Sequence, residues 1–289
     1  MQNDSSSRFI MEGADVRGYM LQLNRTLTES LSASDYPAPI RSLLGEFLAA
    51  AALLSQTIKF EGRLLLQVKG ASPINLIAAE SSHERGLRCV ARFEPLDDSG
   101  PLDFEHLLAG GTLVVTIEPD QGDRYQSLVP LTAPTLSECL EFYFGQSDQL
   151  GTQIMLHCDG QRACGFLLQQ LPPQRTPSPK ARADQWQHFS ILGATLTPDE
   201  IFTLPEAVII SRLFGEDPVE LFAPETHHFA CTCSRQRMAS ALLALGEDDL
   251  EALLEEQPIL TMACEFCGAE HRLDREAIAE QVRGDEPRH

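Results

Sequence analysis

The stretch "FACTCSRQR" (residues 229–237) places two cysteines, Cys231 and Cys233, one residue apart. A second close pair, Cys264 and Cys267, occurs in "ACEFCGAEH" (residues 263–271). Four of the eight cysteines therefore lie in two tight pairs towards the C-terminal end. Four explanations fit this pattern: a disulfide framework, a redox-active dithiol, a metal site, or a metal site that converts to disulfides.

A closed zinc site needs four soft ligands in a tetrahedron, and the two pairs can provide them. The turn in Cys264-x-x-Cys267 directs two sulfurs towards one ion, and Gly268 allows the backbone to turn beside them. Cys231 and Cys233 lie on one side of an extended chain, because side chains alternate there. We therefore predict that these four cysteines bind one zinc ion per chain.

The remaining cysteines and the nearby histidines have simpler explanations. A buried cysteine behaves as a small hydrophobic residue, and the other four lie at unpaired spacing in strand or helix patterns: Cys89, Cys139, Cys158 and Cys164. A redox role stays open for Cys139, Cys158 and Cys164, and Cys158 and Cys164 flank a predicted hairpin. The histidines beside the pairs are not expected to be ligands, because four thiolates already complete a tetrahedron: His227, His228 and His271.

The same spacing permits oxidation chemistry. In an extended chain the Cα atoms of residues i and i+2 lie ~6.5 Å apart, near the upper limit for a disulfide. A bond within the first pair would therefore be strained and easily reduced. The second pair spans a turn, where Cα atoms fall within ~7 Å. Metal-bound thiolates are also oxidisable, so each pair could close locally once the metal is lost.

Composition narrows the class of protein. The chain has 289 residues, 43% of them apolar, and a net charge of −20. Residues 231–289 contain six arginines against thirteen acidic residues, so binding to nucleic acid or anionic lipid is disfavoured. No secretory signal is visible in "MQNDSSSRFI", and the longest apolar run, Phe47–Leu54, is too short for a membrane span. We expect a soluble cytoplasmic protein, in a compartment that disfavours a standing disulfide scaffold.

The segment pattern predicts an α+β fold with a mixed strand and helix N-terminal core domain (1–171), a linker region (172–226) and a small C-terminal zinc-binding domain (227–289). Helices are predicted over Pro39–Thr57 and Leu136–Phe144. Short apolar runs predict six strands: 64–70, 87–94, 112–119, 125–132, 152–158 and 163–171.

The linker region begins with a proline-rich boundary, 171–184, where no regular structure is expected. Two capping boxes, starting at Thr197 and Thr203, then predict short helices with apolar faces that need a partner surface. The C-terminal domain is predicted as two helices and a hairpin with the second cysteine pair at its tip, followed by a helix capped by Asp274. We expect the linker region to be metastable, because it is too short to form its own core.

Beyond these patterns, the chain resembles the redox-regulated thirty-three-kilodalton heat-shock protein family of bacterial chaperones, also called 33 kDa chaperonins. "CTCSRQR" and "CEFCG" resemble its zinc centre, "DYPAPIRSLLGEFLAAAALLSQTIKFEG" and "PTLSECLEFYFGQSDQL" its N-terminal domain, and "TLPEAVIISRLF" its linker.

The resemblance implies an ATP-independent holdase of the stress response, not an enzyme. Oxidation would release zinc and form the disulfides Cys231–Cys233 and Cys264–Cys267. The linker would then unfold, and a homodimer would bind unfolded or partially folded client proteins. Two other classes stay open: a zinc-ribbon nucleic-acid-binding factor, which the acidic charge disfavours, and a thiol oxidoreductase, which would need a pair free of metal.

Overall fold

The protein is described here by a computed structural model, which covers residues 4–58, 60–70, 73–96, 100–147, 149–176 and 178–278. The chain divides into two compact units. Unit 1 contains residues 1–31 and 35–230, and unit 2 contains residues 32–34 and 231–289. The boundary on the C-terminal side falls between Ala230 and Cys231, directly before the first cysteine pair.

Unit 1 contains strands and helices in alternating groups. Its strands are β1 (Ser5–Met11), β2 (Val16–Leu23), β3 (Gly62–Lys69), β4 (Ile74–Ser82), β5 (Gly86–Phe93), β6 (Thr112–Pro119), β7 (Tyr125–Pro130), β8 (Thr152–Cys158), β9 (Ala163–Gln170), β10 (Val219–Leu221), β11 (Glu225–Thr226) and β12 (His228–Phe229). Its helices are α1 (Arg25–Ser30), α2 (Ala38–Thr57), α3 (Phe104–Leu107), α4 (Leu136–Ser147), α5 (Pro179–Gly193), α6 (Pro198–Thr203) and α7 (Glu206–Phe214).

These strands form two sheets within the described residues. The first has the order β10-β1-β2-β9-β8, and β11 also pairs with β1. The second has the order β12-β5-β4-β3-β6-β7. All pairs are antiparallel except β12 with β5, whose parallel register joins His228 to Gly86. The mixed α+β class and all six predicted strands are confirmed, whereas β1, β2, β4 and the short strands β10, β11 and β12 were not predicted.

Helix α2 forms the centre of the larger core. Its buried side chains include Leu44, Phe47 and Leu48, which pack in one cluster with residues of both sheets. By length and composition alone this helix could cross a membrane, but 72% of the relevant window is buried inside the protein. It is therefore a core helix of unit 1. Its bounds agree with the helix predicted over Pro39–Thr57.

The linker region packs against the outer face of the first sheet. Phe214 of α7 contacts Phe9 of β1 with ring centroids 5.7 Å apart, and it contacts Phe189 of α5 at 6.2 Å. Ile201 and Ile209 are buried in the same cluster. The predicted need for a partner surface is thus met within unit 1.

Two local predictions in this region are wrong. Helix α5 begins at Pro179, inside the stretch expected to lack regular structure, because proline is well tolerated in the first turn and Ser178 caps the helix. The capping box predicted at Thr197 is present. The one predicted at Thr203 is absent, because α7 begins after Pro205 and has no side-chain cap. The carboxylate of Glu206 instead accepts hydrogen bonds from Ser5, at 2.8 Å, and from Ser7.

Unit 2 contains helices α8 (Arg235–Leu243) and α9 (Glu247–Glu256) and the hairpin β13 (Ile259–Ala263) with β14 (Glu270–Asp274). Ser234 caps α8, and the Asp274 carboxylate accepts a hydrogen bond from the Ala277 N–H at 2.9 Å, as predicted for the last helix. The predicted continuation beyond residue 278 lies outside the described residues. Within the described residues the core is small, and its buried members are Ala239, Leu242, Leu250, Leu254, Leu260, Leu273, Ala277 and Ile278.

Candidate metal centre

The second cysteine pair lies at the tip of the β13–β14 hairpin. The Cys264 N–H donates to the Ala269 carbonyl at 2.9 Å, and the Gly268 N–H donates to the Cys264 carbonyl at 2.7 Å. Gly268 has a φ of +71°, a left-handed conformation that residues with a Cβ adopt at a cost. This turn brings the two thiols to the same side, as the C-x-x-C spacing predicted.

The first pair lies between strand β12 and helix α8, in a segment without regular structure. The Arg237 guanidinium donates to the Thr232 carbonyl at 3.0 Å, between the two cysteines. Arg235 donates to the Arg272 carbonyl of β14 at 3.1 Å. Arg237 thus holds the backbone between Cys231 and Cys233, and Arg235 attaches this segment to the hairpin that carries the second pair.

The four sulfurs form one cluster, in which each Sγ lies within 4.8 Å of the others. The Cys231 and Cys264 sulfurs are 3.7 Å apart, and those of Cys233 and Cys267 are 3.5 Å apart. Ligands at ~2.3 Å in a tetrahedron, the Zn–S distance, stand ~3.8 Å from one another. The donor set therefore has the chemistry and the spacing to hold a metal ion such as zinc.

Electrostatics within the cluster favour one thiolate. Burial raises the pKa of Cys231, but hydrogen bonds from the Cys233 backbone and from the other thiols outweigh it and lower the pKa. Burial and the neighbouring cysteines raise the pKa values of Cys233 and Cys267. Two adjacent thiolates repel each other, so a cation that neutralises them stabilises the group.

Among the described residues, the group that could hold a metal ion consists of the four cysteines. A ring nitrogen of His271, Nε2, lies 3.4 Å from the Cys233 sulfur, a hydrogen-bonding distance for sulfur that was not predicted. No local pattern indicates this contact, because it joins two segments that lie 38 residues apart in the chain. In unit 1, His227 is buried and its Nε2 lies 2.9 Å from the Ser6 hydroxyl, while His228 belongs to β12.

The other four cysteines lie in unit 1 as free thiols. Burial raises the pKa values of Cys158 and Cys164 to about 12, and it also raises those of Cys89 and Cys139. A thiol with a raised pKa forms little thiolate at neutral pH and is a poor nucleophile. These environments support the structural role predicted for them.

Fold and site together define a class: an α+β protein with a C-terminal cluster of four cysteines suited to zinc. Comparison with known proteins then identifies the family, because the family model described as Hsp33 protein matches residues 4–274. The chain belongs to the Hsp33 family.

Several relatives are similar over nearly their whole length. The chain is 41% identical over 283 residues to the 33 kDa chaperonin of Pseudomonas paraeruginosa, covering 98% of this chain and 95% of the relative. It is 42% identical to that of Ectopseudomonas mendocina, covering 98% and 96%. The crystal structure of the 33 kDa chaperonin from Thermotoga maritima matches with a TM-score of 0.78 and 22% identity, covering 97% and 98%. The chain is thus a chaperone by family, and its relatives are named as chaperonins rather than enzymes.

Proposed function

We propose that the protein is a redox-regulated, ATP-independent holdase whose switch is a zinc ion bound by Cys231, Cys233, Cys264 and Cys267. The observation that supports this most directly is the convergence of the four sulfurs within 4.8 Å of one another. The ion would supply a closed structural site that stabilises unit 2 and holds the four thiolates in the reduced, inactive state. We place this function in the bacterial cytoplasm, where thiols stay reduced until oxidative stress occurs.

Oxidation would convert the four ligands into two disulfides. Each disulfide would form when two thiolates give up two electrons, which together with two protons from solvent reduce one hydrogen peroxide to two waters, and the zinc ion leaves as its ligands are lost. We propose local pairing, Cys231 with Cys233 and Cys264 with Cys267. In the folded cluster the sulfurs of Cys231 and Cys264 lie 3.7 Å apart and those of Cys233 and Cys267 lie 3.5 Å apart, but pairing across the two segments depends on the fold of unit 2. Local pairs need only a short segment, so they remain possible once that fold is lost.

Loss of the metal would destabilise the linker region that precedes the centre. This region supplies apolar residues that are buried against the first sheet, and their release would expose a surface for unfolding clients. We propose that client proteins bind this surface together with apolar faces of the N-terminal domain, and that the activated form is a homodimer. The domain divisions 1–171, 172–226 and 227–289 describe these three functional parts.

The test combines client protection with chemistry at the centre. The reduced, zinc-loaded protein should not prevent aggregation of a thermally unfolding client, whereas protein treated with peroxide and heat should. Over the same time course one zinc ion per chain should be released and four thiols should disappear. Equal protection in both states, or activation without zinc release, would contradict the proposal.

A further inference from the structure

A groove in unit 1 concentrates positive charge in an otherwise acidic chain. Its cavity of about 630 Å³ lies beside the last turn of α2 and is lined by Arg8, Arg17 and Arg85. Two carboxylates, Glu61 and Glu225, also line it. In a chain with a net charge of −20, arginines gathered in one cavity are a candidate anion site.

Two of these arginines have no carboxylate partner among the residues that the structure describes. Arg85 forms an ion pair with Glu225, which neutralises it. Arg8 lies with its guanidinium carbon 5.1 Å from the ring centre of Phe222, and no acidic group pairs with it. Arg8 and Arg17 are near enough that Arg8 lowers the pKa of Arg17, after the larger effect of burial. Glu61 offsets part of the remaining charge, so the groove has one more arginine than carboxylate, and its arginines without an ion pair among the described residues are Arg8 and Arg17.

Arg17 retains unused hydrogen-bonding capacity. Its Nη2 donates to the Thr57 carbonyl at 3.0 Å and to the Gln169 side chain at 2.8 Å, which fixes the guanidinium at the end of α2. Its Nε is buried with no acceptor in the described part of the chain. A buried donor without an acceptor costs free energy, so an acceptor arriving at this place would bind favourably.

An apolar cavity adjoins the charged one. It has a volume of about 250 Å³ and is lined mainly by aliphatic and aromatic side chains, including Ile117, Leu140 and Phe144. Arg17, Thr57 and Ile58 line both cavities, so the charged and apolar parts meet at these three residues. A ligand that fits both parts must carry an anionic group directly beside an apolar group.

We propose that the two cavities form one binding site for a small amphipathic carboxylate with a single unbranched alkyl tail. The carboxylate binds Arg17 and Arg8, and the tail lies in the apolar cavity. A cavity of about 250 Å³ suits one tail rather than a helix or a folded peptide segment. Planar guanidinium groups match carboxylate geometry, and burial of each methylene adds affinity. This site is separate from the cysteine centre and does not depend on the chaperone function.

Calorimetric titration of the full-length reduced protein with decanoate, below its micelle concentration, tests the proposal. Decanoate should bind one site. Decanol, which keeps the tail without the charge, should bind at least tenfold more weakly, and acetate at least a hundredfold more weakly. No binding of decanoate overturns the proposal. Equal binding of decanol removes the role of the arginines, and equal binding of acetate removes that of the apolar cavity, so either result also overturns it.

Variants separate specific contacts from general charge. Arg8→Gln, at an exposed position, should weaken decanoate binding at least tenfold. Arg17→Lys keeps the positive charge but loses the planar guanidinium group, so it should also weaken decanoate binding. Thermal unfolding checks that this variant is folded. The matched control is Arg25→Gln, whose side chain is 82% exposed on α1, and it should bind as the unchanged protein does. The NMR signal of the Arg17 Nε–H group should shift on binding. An effect of equal size in the Arg25 variant, or no effect at Arg8 and Arg17, contradicts the site.

Discussion

The eight cysteines fall into two groups whose chemical roles differ because their surroundings differ. In unit 2, hydrogen bonds lower the pKa of Cys231 despite its burial, and three further sulfurs surround it. In unit 1, burial raises the pKa values of Cys158 and Cys164 to about 12 and keeps them protonated. Only the group in unit 2 therefore combines a thiol of lowered pKa, that of Cys231, with metal-binding geometry.

This difference predicts the result of single substitutions. Cys267→Ser removes one of four soft ligands, so the purified protein should lose most of its zinc, which metal analysis measures. The control Cys158→Ser should keep one zinc ion per chain. We also expect the Cys267 variant to protect a client from aggregation without peroxide. Full zinc retention by this variant would contradict the ligand set.

A buried carboxyl group on α2 predicts a pH dependence of stability. Glu46 lines a cavity beside Leu102 and Phe104, and burial raises its pKa from 4.5 to about 7. A carboxyl group with a raised folded pKa favours folding when protonated. Its contribution is therefore complete below pH ~4.5, falls as pH rises towards 7, and is absent above that. The difference corresponds to on the order of 3 kcal/mol.

Glu46→Gln should accordingly stabilise unit 1 at pH 8 and have little effect at pH 4.5. Thermal unfolding followed by the fluorescence of Trp186, the single tryptophan, measures this. Glu105→Gln, at an exposed position in α3, is the matched control and should shift neither curve. Equal stabilisation of the Glu46 variant at both pH values would show that ionisation is not the cause.

At the scale of elements, the linker helices depend on a surface that they do not themselves supply. Helix α7 has nine residues and no side-chain cap, which is too short for stability in isolation. Its buried residues Ile209 and Phe214 pack on β1 and β9 through Phe9 and Phe166. The fold of α7 therefore lasts only while this packing lasts, which suits a segment that is proposed to unfold on activation.

Weakening this packing should lower the threshold for activation. Phe214 is 1% exposed, and Phe214→Ala should destabilise the linker region by about 3–5 kcal/mol. Val208, on the same helix, is 42% exposed, and Val208→Ala should change stability little. In the aggregation assay the Phe214 variant should protect the client at lower peroxide concentration or lower temperature than the Val208 variant. Identical thresholds would show that the linker packing does not control activation.

At the scale of the whole molecule, the two units differ in how they are stabilised. Unit 1 has two clusters of buried apolar residues, whereas the described part of unit 2 has one small cluster. Structural zinc contributes on the order of 10–16 kcal/mol in small modules, and whole domains are stable by only about 5–15 kcal/mol. Unit 2 is therefore expected to unfold when the metal is removed, while unit 1 keeps the central strands of its two sheets.

Local signals in the sequence predicted much of this molecule. The cysteine spacing, the Gly268 turn and the β13–β14 hairpin that carries the second cysteine pair were all recognisable from neighbouring residues. Strand β1 was missed because its serines look like those of a loop. Ser6 and Ser7 are in fact buried, and their partners, Gln56 and Glu206, are far away in the sequence. The same distant contact explains why Glu206 does not complete its capping box.

Hydrogen exchange of the full-length protein, before and after zinc is removed by peroxide and heat, tests the central claim most directly. Peptides from 231–278 should lose their protection when zinc is released, and those from 178–230 should follow. Peptides from β3, β4 and β6, at the centre of the second sheet, should keep theirs. If residues 231–278 stay protected after complete zinc removal, the metal does not maintain unit 2 and the proposed switch is wrong.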